Sequence, residues 1–310
     1  MTVIDTPKRS GVFSGDHGSI RTELYLVLLA VIWGVNFAVV KWALLSFDPL
    51  GFNALRFLIA SVVVLVVLRV QGRLRLPARE DIPWLLVLGL IGNTAYQLGF
   101  ILGLDRTRAG NASLLLSLPP AFVAVFSSWS GSERHTALTW GGVIVSVLGV
   151  ALVSGATLQM EEGATLVGDL ILLCAAIVWA AYTVGARHMI ERYGSIQVTA
   201  WTLWIGTLGL LMAGYPSLRD QQWQEVGPLA WGALFFSACF AIGLAYLIWN
   251  RGVERIGPTR TAIFANVTPI IALSLGAVWL GERLTALSLL GAALTIGGVL
   301  LVRADRPAVE

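Results

Sequence analysis

Charge is what this sequence lacks most. Only 13% of its 310 residues are Asp, Glu, Lys or Arg, against roughly 25% in an ordinary soluble domain. So few charges cannot cover a water-facing surface when 56% of the residues are hydrophobic and the mean hydropathy is +0.78. The chain is read as an integral membrane protein. Cysteine is scarce too. Cys174 and Cys239 are the two present, each inside an apolar run, which excludes a disulfide framework and reads as two small buried hydrophobes. The middle of every apolar run is free of acid and imidazole: the 18 carboxylates fall in loops, tails or end turns, and His17, His135 and His188 are peripheral. That excludes a proton relay at mid-membrane. There is no His-Glu-x-x-His, no Gly-x-Ser-x-Gly, no carboxylate pair facing the membrane and no metal-ligand spacing, which argues against a membrane enzyme and leaves no cofactor or metal site. The net charge of +3 does not imply nucleic acid, because the positive charges sit in short loops. The first 22 residues contain no apolar core of signal-peptide length and read as a short tail.

What fills the sequence instead is apolar runs. A helix needs roughly 20 such residues to cross the hydrocarbon core. Ten candidates meet that length: Glu23–Leu45, Pro49–Val70, Ile82–Gly103, Gly110–Trp129, Ala137–Ser154, Gly168–Ala186, Ser195–Ala213, Pro228–Asn250, Pro258–Leu280 and Ala286–Val302. Pro49, Pro83, Pro228 and Pro258 fit first turns, where proline's missing N–H had no partner in any case. Thr136 and Thr285 stand where N-caps of the fifth and tenth helices belong.

The runs repeat. Shifted by 149 residues, Gly103–Val153 lies without a gap on Gly252–Val302, with 13 of 51 positions identical. Glu133-Arg134-x-Thr136-Ala137-Leu138 falls on Glu282-Arg283-x-Thr285-Ala286-Leu287, Pro120 on Pro269, Gly142 on Gly291 and Gly149 on Gly298. At an offset of 146, Trp33 falls on Trp179, Asn36 on Tyr182 and Lys41 on Arg187. The expected domains are therefore a tail (1–22), a first five-helix repeat (23–155), a second (156–303) and a tail (304–310). With a cytoplasmic N-terminus, the inside segments hold 14 of the 21 Lys and Arg and the outside loops four; Lys41, Arg56 and Arg260 lie within helices. The bias puts both termini inside. Five helices per copy is an odd number, so the second copy enters from the opposite side, giving inverted repeats with a site expected near the midplane.

Trp33-Gly34-Val35-Asn36-Phe37, Arg56-Phe57, Pro120, Gly281-Glu282-Arg283-Leu284 and the Gly291–Gly298 spacing, together with two five-helix halves, resemble the drug/metabolite transporter superfamily in its ten-helix EamA-type branch. The resemblance covers Glu23 to Arg303. It implies an all-α basket of ten transmembrane helices, with helices 1–4 and 6–9 around a central cavity and helices 5 and 10 buttressing it. It also implies export or exchange of small metabolites, often amino acids, as a multi-pass protein of the inner membrane. The expected partners are a small-molecule substrate and the lipid bilayer. The copies differ at Gly281 against Ser132 and at Asn36 against Tyr182, so the cavity is expected to be asymmetric.

Polar groups in the hydrocarbon region need partners. Asn36, Asn93, Gln97 and Asn266 read either as interhelical hydrogen-bonding groups or as lining of the cavity. Asn93 and Gln97 are four apart and so share a helix face, with Tyr96 beside them. Trp33, Trp179, Tyr182 and Tyr246 are mid-run aromatics that would wall a pocket for a small amphipathic solute. Lys41 and Arg56 lie toward the outer ends of helices 1 and 2; they read either as snorkelling anchors or as a positive vestibule for a substrate carboxylate. Glu133 and Glu282 read as loop hydrogen-bonding groups or as partners for the next helix N-terminus. Gly99-x-x-x-Gly103 reads as a close helix contact. The reading is an uncoupled secondary transporter, or one whose proton coupling runs through an end group or the substrate. A solute channel or a quaternary-cation carrier is the alternative. Nothing in the sequence fixes the oligomeric state, and a monomer is compatible with it.

Overall fold

In a computed structural model of the chain, residues 17–72, 75–106, 115–158, 166–271, 274 and 285–305 are described. No strand occurs among them; the chain is all-helical. We number the helices α1 His17–Ala43, α2 Pro49–Val70, α3 Arg79–Arg106, α4 Pro119–Trp129, α5 Ala137–Leu158, α6 Leu166–Tyr193, α7 Ser195–Asp220, α8 Pro228–Ile256, α9 Pro258–Ile263 and α10 Ala286–Ala304. α9 continues into a 3₁₀ turn at Phe264–Val267. Six of them (α1, α2, α3, α6, α7 and α8) are long and apolar enough to cross a membrane. α6, α7 and α8 run past the apolar segments read from the sequence, so that Asn250 is an internal residue of α8.

The helix starts follow local chemistry. The Asp48 carboxylate accepts the N–H groups of Leu50 (2.9 Å) and Gly51 (3.4 Å) ahead of Pro49, and Thr136 Oγ1 accepts the Leu138 N–H at 3.1 Å at the start of α5. Such caps satisfy donors that have no partner inside the helix. Glu133 caps a different helix from the one expected. Its Oε2 accepts the Thr259 N–H at 3.1 Å, at the head of α9 rather than α5, because the α4–α5 hairpin folds under α9.

Leu28, Val62, Leu170, Leu208 and Leu300 are all exposed. An apolar belt of this kind belongs in hydrocarbon, as an integral membrane protein requires. Trp84, Trp129 and Trp223, at helix ends, are exposed as well. Cys174 corrects the expectation of burial. It is exposed, on the outward face of α6, and Cys239 is half-buried.

α5 packs chiefly on α10, α2 on α7, α3 on α6, and α1 on α8 and on the start of the 3₁₀ turn of α9. The α5–α10 contact is antiparallel and backbone-close. A Cβ on Gly142 would sit 2.8 Å from the Gly298 carbonyl oxygen, and one on Gly149 would sit 2.6 Å from that of Gly291. Only glycine allows that approach. Gly99 and Gly103 do the same service for α3, against Ala175 and Leu172 of α6.

Two helices are interrupted. α3 carries a π segment at Leu90–Ala95 and α8 one at Ser237–Leu244. A π turn takes in an extra residue, changes the phase of the following helix and is common at functional sites. Both segments border the aromatic cluster described next, through Gly92 and Ala241.

Candidate functional site

Trp179 of α6 is the hub. Its ring lies 4.7 Å from Tyr96, 5.3 Å from each of Tyr182, Tyr246 and Trp249, and 6.2 Å edge-on from Trp33. Four elements are gathered this way: α1 by Trp33, α3 by Tyr96, α6 by Trp179 and Tyr182, α8 by Tyr246 and Trp249. The Trp33 indole also donates to the Ala241 carbonyl at 3.0 Å, inside the π segment of α8, where the bulge disturbs the normal helical pairing. Gly92, in the other π segment, lets Tyr182 lie flat on the α3 backbone, since any Cβ there would overlap the ring.

A polar network borders the cluster on one flank. The Arg56 guanidinium donates to Asn53 Oδ1 (2.8 Å), to Gln97 Oε1 (2.6 Å) and to Ser237 Oγ (3.2 Å). Gln97 Nε2 donates in turn to Tyr246 OH at 2.8 Å, and Asn53 Nδ2 to the Gln97 carbonyl at 3.3 Å. Phe52, Phe57 and Phe100 stand 5.6–6.0 Å from the guanidinium carbon. Arg56 is 1% exposed. This corrects the snorkelling reading: the side chain lies on the face of α2 packed against α3 and α8 and bonds Gln97 and Ser237 there.

A second network lies on the other flank. Asn250 Nδ2 donates to Thr199 Oγ1 (2.7 Å) and Tyr182 OH (2.9 Å), and Tyr182 OH is 3.4 Å from Thr202 Oγ1. Asn93 Nδ2 donates to the Thr202 carbonyl at 3.1 Å. Asn93 and Gln97 therefore engage different helices, α7 for the first and α2 with α8 for the second. The π segment between them undoes the four-residue stacking expected of an α-helix.

Of the expected site residues, the structure gathers Trp33, Tyr96, Trp179, Tyr182 and Tyr246 ring to ring, joins Gln97 and Arg56 to them through Tyr246, and joins Asn93 through Thr202. Asn36 is buried one helical turn from Trp33, its Oδ1 facing no donor. Asn266 does not join them. It donates to Ser146 Oγ of α5 at 2.8 Å, because the 3₁₀ turn of α9 presents it to the α5–α10 pair. The Lys41 side chain, Glu282 and Gly281 lie outside the described residues. The sequence reading missed Asn53, Thr199, Thr202, Trp249 and Asn250. A signal for three of them was available: at the offset of 146, Asn53 falls on Thr199 and Arg56 on Thr202, polar in both copies within apolar runs.

At one end of the molecule, loops are tied by charge. Arg192 pairs with Asp81 at 2.9 Å and Glu80 at 2.5 Å, and Tyr193 OH also bonds Asp81. Arg303 pairs with Glu23 at 2.9 Å. Arg187 donates to the Ser132 carbonyl at 2.6 Å. Among the described residues no group of three or more His, Cys, Asp or Glu could hold a metal.

The model of the EamA-like transporter family matches residues 20–155 and, a second time, residues 166–304. The uncharacterized transporter YyaM of Bacillus subtilis is 28% identical over 283 residues, covering 90% of this chain and 92% of that one. A protein of Streptantibioticus cattleyicolor named "Probable terminal-alkyne amino-acid exporter" is 28% identical over 279 residues, covering 89% and 91%. A crystal structure at 19% identity superposes with a TM-score of 0.76 over 92% of this chain and 98% of that chain, which identifies the fold alone.

Proposed function

Because this chain belongs to the EamA-like transporter family, we propose that it is a secondary carrier of small amphipathic metabolites, amino acids foremost, working by alternating access between two inverted five-helix halves. The observation that carries this reading is the aromatic and amide cluster around Trp179, buried at the junction of α1, α3, α6 and α8. Rings and isolated amides suit an amphipathic solute, whose apolar body packs while its polar groups orient it. The amino-acid class draws support from the relative named as an amino-acid exporter.

Several features support the inverted halves. The family match occurs twice in tandem. Adding five to each helix number turns the α3–α6 contact into the α8–α1 contact and leaves α2–α7 and α5–α10 as self-pairs. The α5–α10 contact is reciprocal: Gly142 meets Gly298 while Gly149 meets Gly291, and these are matched positions at the offset of 149. An isologous contact of that form is what a two-fold axis generates. An axis in the membrane plane makes the halves opposed, so that rocking about the site exposes each side in turn. The segments that the charge count assigns to the cytoplasm, those holding Asp81, Glu133 and Glu254, gather at one end with the α1 start and α10 end. Both termini inside an inner membrane fits that arrangement.

Purified protein in liposomes tests the reading. Uptake of a labelled neutral amino acid should saturate and should speed up when unlabelled amino acid is loaded inside. Flux that rises linearly with concentration and ignores internal solute would indicate a channel and sink the carrier reading.

A further inference from the structure

Resting on that reading, we propose that Arg56 selects the cargo: it receives a carboxylate of the solute, so a free carboxylate is the one group that every cargo molecule must carry. Arg56 lies seven residues into α2, about 10 Å from the helix start, inside a span long and apolar enough to cross a membrane. Its side chain is buried. Among the described residues no carboxylate pairs with it, and the ionisable side chains that bear on it, Tyr96 and Tyr246, are phenols. An isolated charge at that depth is costly and marks a functional site. A tie between α2, α3 and α8 would need no charge, since an amide or a hydroxyl could make it at lower cost. The solute supplies the counter-charge that the protein withholds.

The guanidinium is also short of acceptors. It carries five N–H groups, and three are used: Nε on Asn53 Oδ1, Nη2 on Gln97 Oε1 and Nη1 on Ser237 Oγ. One N–H on each terminal nitrogen has no acceptor among the described residues. A carboxylate brings two oxygens that can bridge the terminal nitrogens, and a charged acceptor bonds more strongly than the neutral oxygens now in place. The acceptors on those nitrogens both belong to interrupted helices: Ser237 opens the π segment of α8, and Gln97 follows that of α3 by two residues. Such segments are frequent at functional sites, and here they let either acceptor give way. Phe52, Phe57 and Phe100 around the guanidinium carbon offer apolar surface to the carbon that bears the carboxylate. One carboxylate balances one guanidinium, so the loaded site is neutral. A phosphate monoester would bring up to about −2 charge and leave an excess.

Solutes matched in body and different in head group test this. 3-Phenylpropanoate, 3-phenylpropanamide and 2-phenylethyl phosphate share one aromatic body, and phenylalanine and the other neutral amino acids are each run beside their primary amides. Two readouts are used, the melting temperature of the detergent-purified protein and trans-accelerated exchange in liposomes. Within each pair the acid should stabilise more, with an apparent affinity tighter by about tenfold or more, and the phosphate should not match the carboxylate. In Arg56→Gln the acids should lose that advantage over their amides, and Arg56→Lys should recover part of it. The wild-type series stands even if a variant does not fold. An amide that equals its acid, a phosphate that exceeds the carboxylate, a folded Arg56→Gln that still prefers acids, or no response to any carboxylate overturns the assignment. Saturable exchange of the amides as fast as the acids would overturn it while leaving the carrier reading intact, whereas absence of saturable flux for the whole set would sink the carrier reading itself.

Discussion

Gln97 of α3 and Tyr246 of α8 are hydrogen-bonded, Nε2 to OH at 2.8 Å, and they stand 149 residues apart, the offset that relates the two copies in the sequence. In the proposed two-fold arrangement, equivalent positions that touch lie beside the axis. Trp33 and Trp179, and Ser61 and Thr207, repeat the relationship at an offset of 146, with ring centroids 6.2 Å apart and hydroxyls 2.7 Å apart. The polar interior is thus built where the copies meet, and the copies differ there: a glutamine faces a tyrosine, and Arg56 answers to Thr202.

Breaking the Gln97–Tyr246 bond should therefore be felt in both packing and solute affinity. Tyr246→Phe leaves a buried amide donor without its acceptor, at a cost of about 1–3 kcal/mol. We expect a lower melting temperature and a weaker apparent affinity in exchange assays for Tyr246→Phe, with Gln97→Ala lowering the melting temperature more because it also leaves Arg56 without an acceptor. Unchanged melting and unchanged affinity in both variants would show that the bond plays no part.

The glycine contact between α5 and α10 separates scaffold from site. Gly149→Leu must push α10 away and should cost about 3 kcal/mol, the upper end of ordinary overpacking, read as a loss of melting temperature and of folded yield. Gly141 and Gly297 have open space around a would-be Cβ, so the same substitution there should be tolerated. Equal damage at all of these positions would mean that the close approach is not what glycine supplies.

Asp305, just past α10, fastens that helix to the start of α5 by accepting hydrogen bonds from the Thr136 hydroxyl at 2.7 Å and from the Thr139 hydroxyl. Burial opposes its charge, but those hydroxyls and the Arg260 guanidinium outweigh it and hold its pKa below the usual carboxylate value. A depressed pKa adds stability that is complete above the unfolded value of about 3.9 and is lost as pH falls through the folded value. Asp305→Asn should melt below the wild type at neutral pH, and the gap should close below about pH 4. A gap that persists in acid would show that the charge is not responsible.

The proposed inversion puts the two copies of the Glu-Arg run on opposite faces. In a background with Cys174 and Cys239 replaced by serine, Ser132→Cys should react with an impermeant maleimide only from the cytoplasmic side and Gly281→Cys only from outside. Labelling of both from one side would contradict the inversion.

The sequence revealed the helices, the repeat and the residue types of the site, because hydropathy and periodicity report burial in lipid directly. It did not reveal which way the side chains face. Arg56 read either as a snorkelling anchor or as a vestibule cation, yet its face of α2 packs on α3 and α8. Asn93 and Gln97 looked like one stripe until a π segment turned them apart. Asn250 looked terminal because the apolar run ends there, whereas α8 continues to Ile256 on polar residues beyond the hydrocarbon. Asn266 read as cavity lining or as an interhelical hydrogen-bonding group, and the 3₁₀ turn carries it to Ser146. For Asn250 the deciding quantity is where the helix ends; for the others it is rotation about a helix axis, which packing sets and composition does not.

Access to the polar interior is the most direct test of alternating access. Ser237 touches Arg56 at 3.2 Å and is fully buried here. In the cysteine-free background, Ser237→Cys should react with an impermeant thiol reagent applied from the cytoplasmic side and, separately, from the outside, and a neutral amino acid should protect it from both. A residue that reacts from one side alone, or from neither, whatever solute is present, would contradict the account.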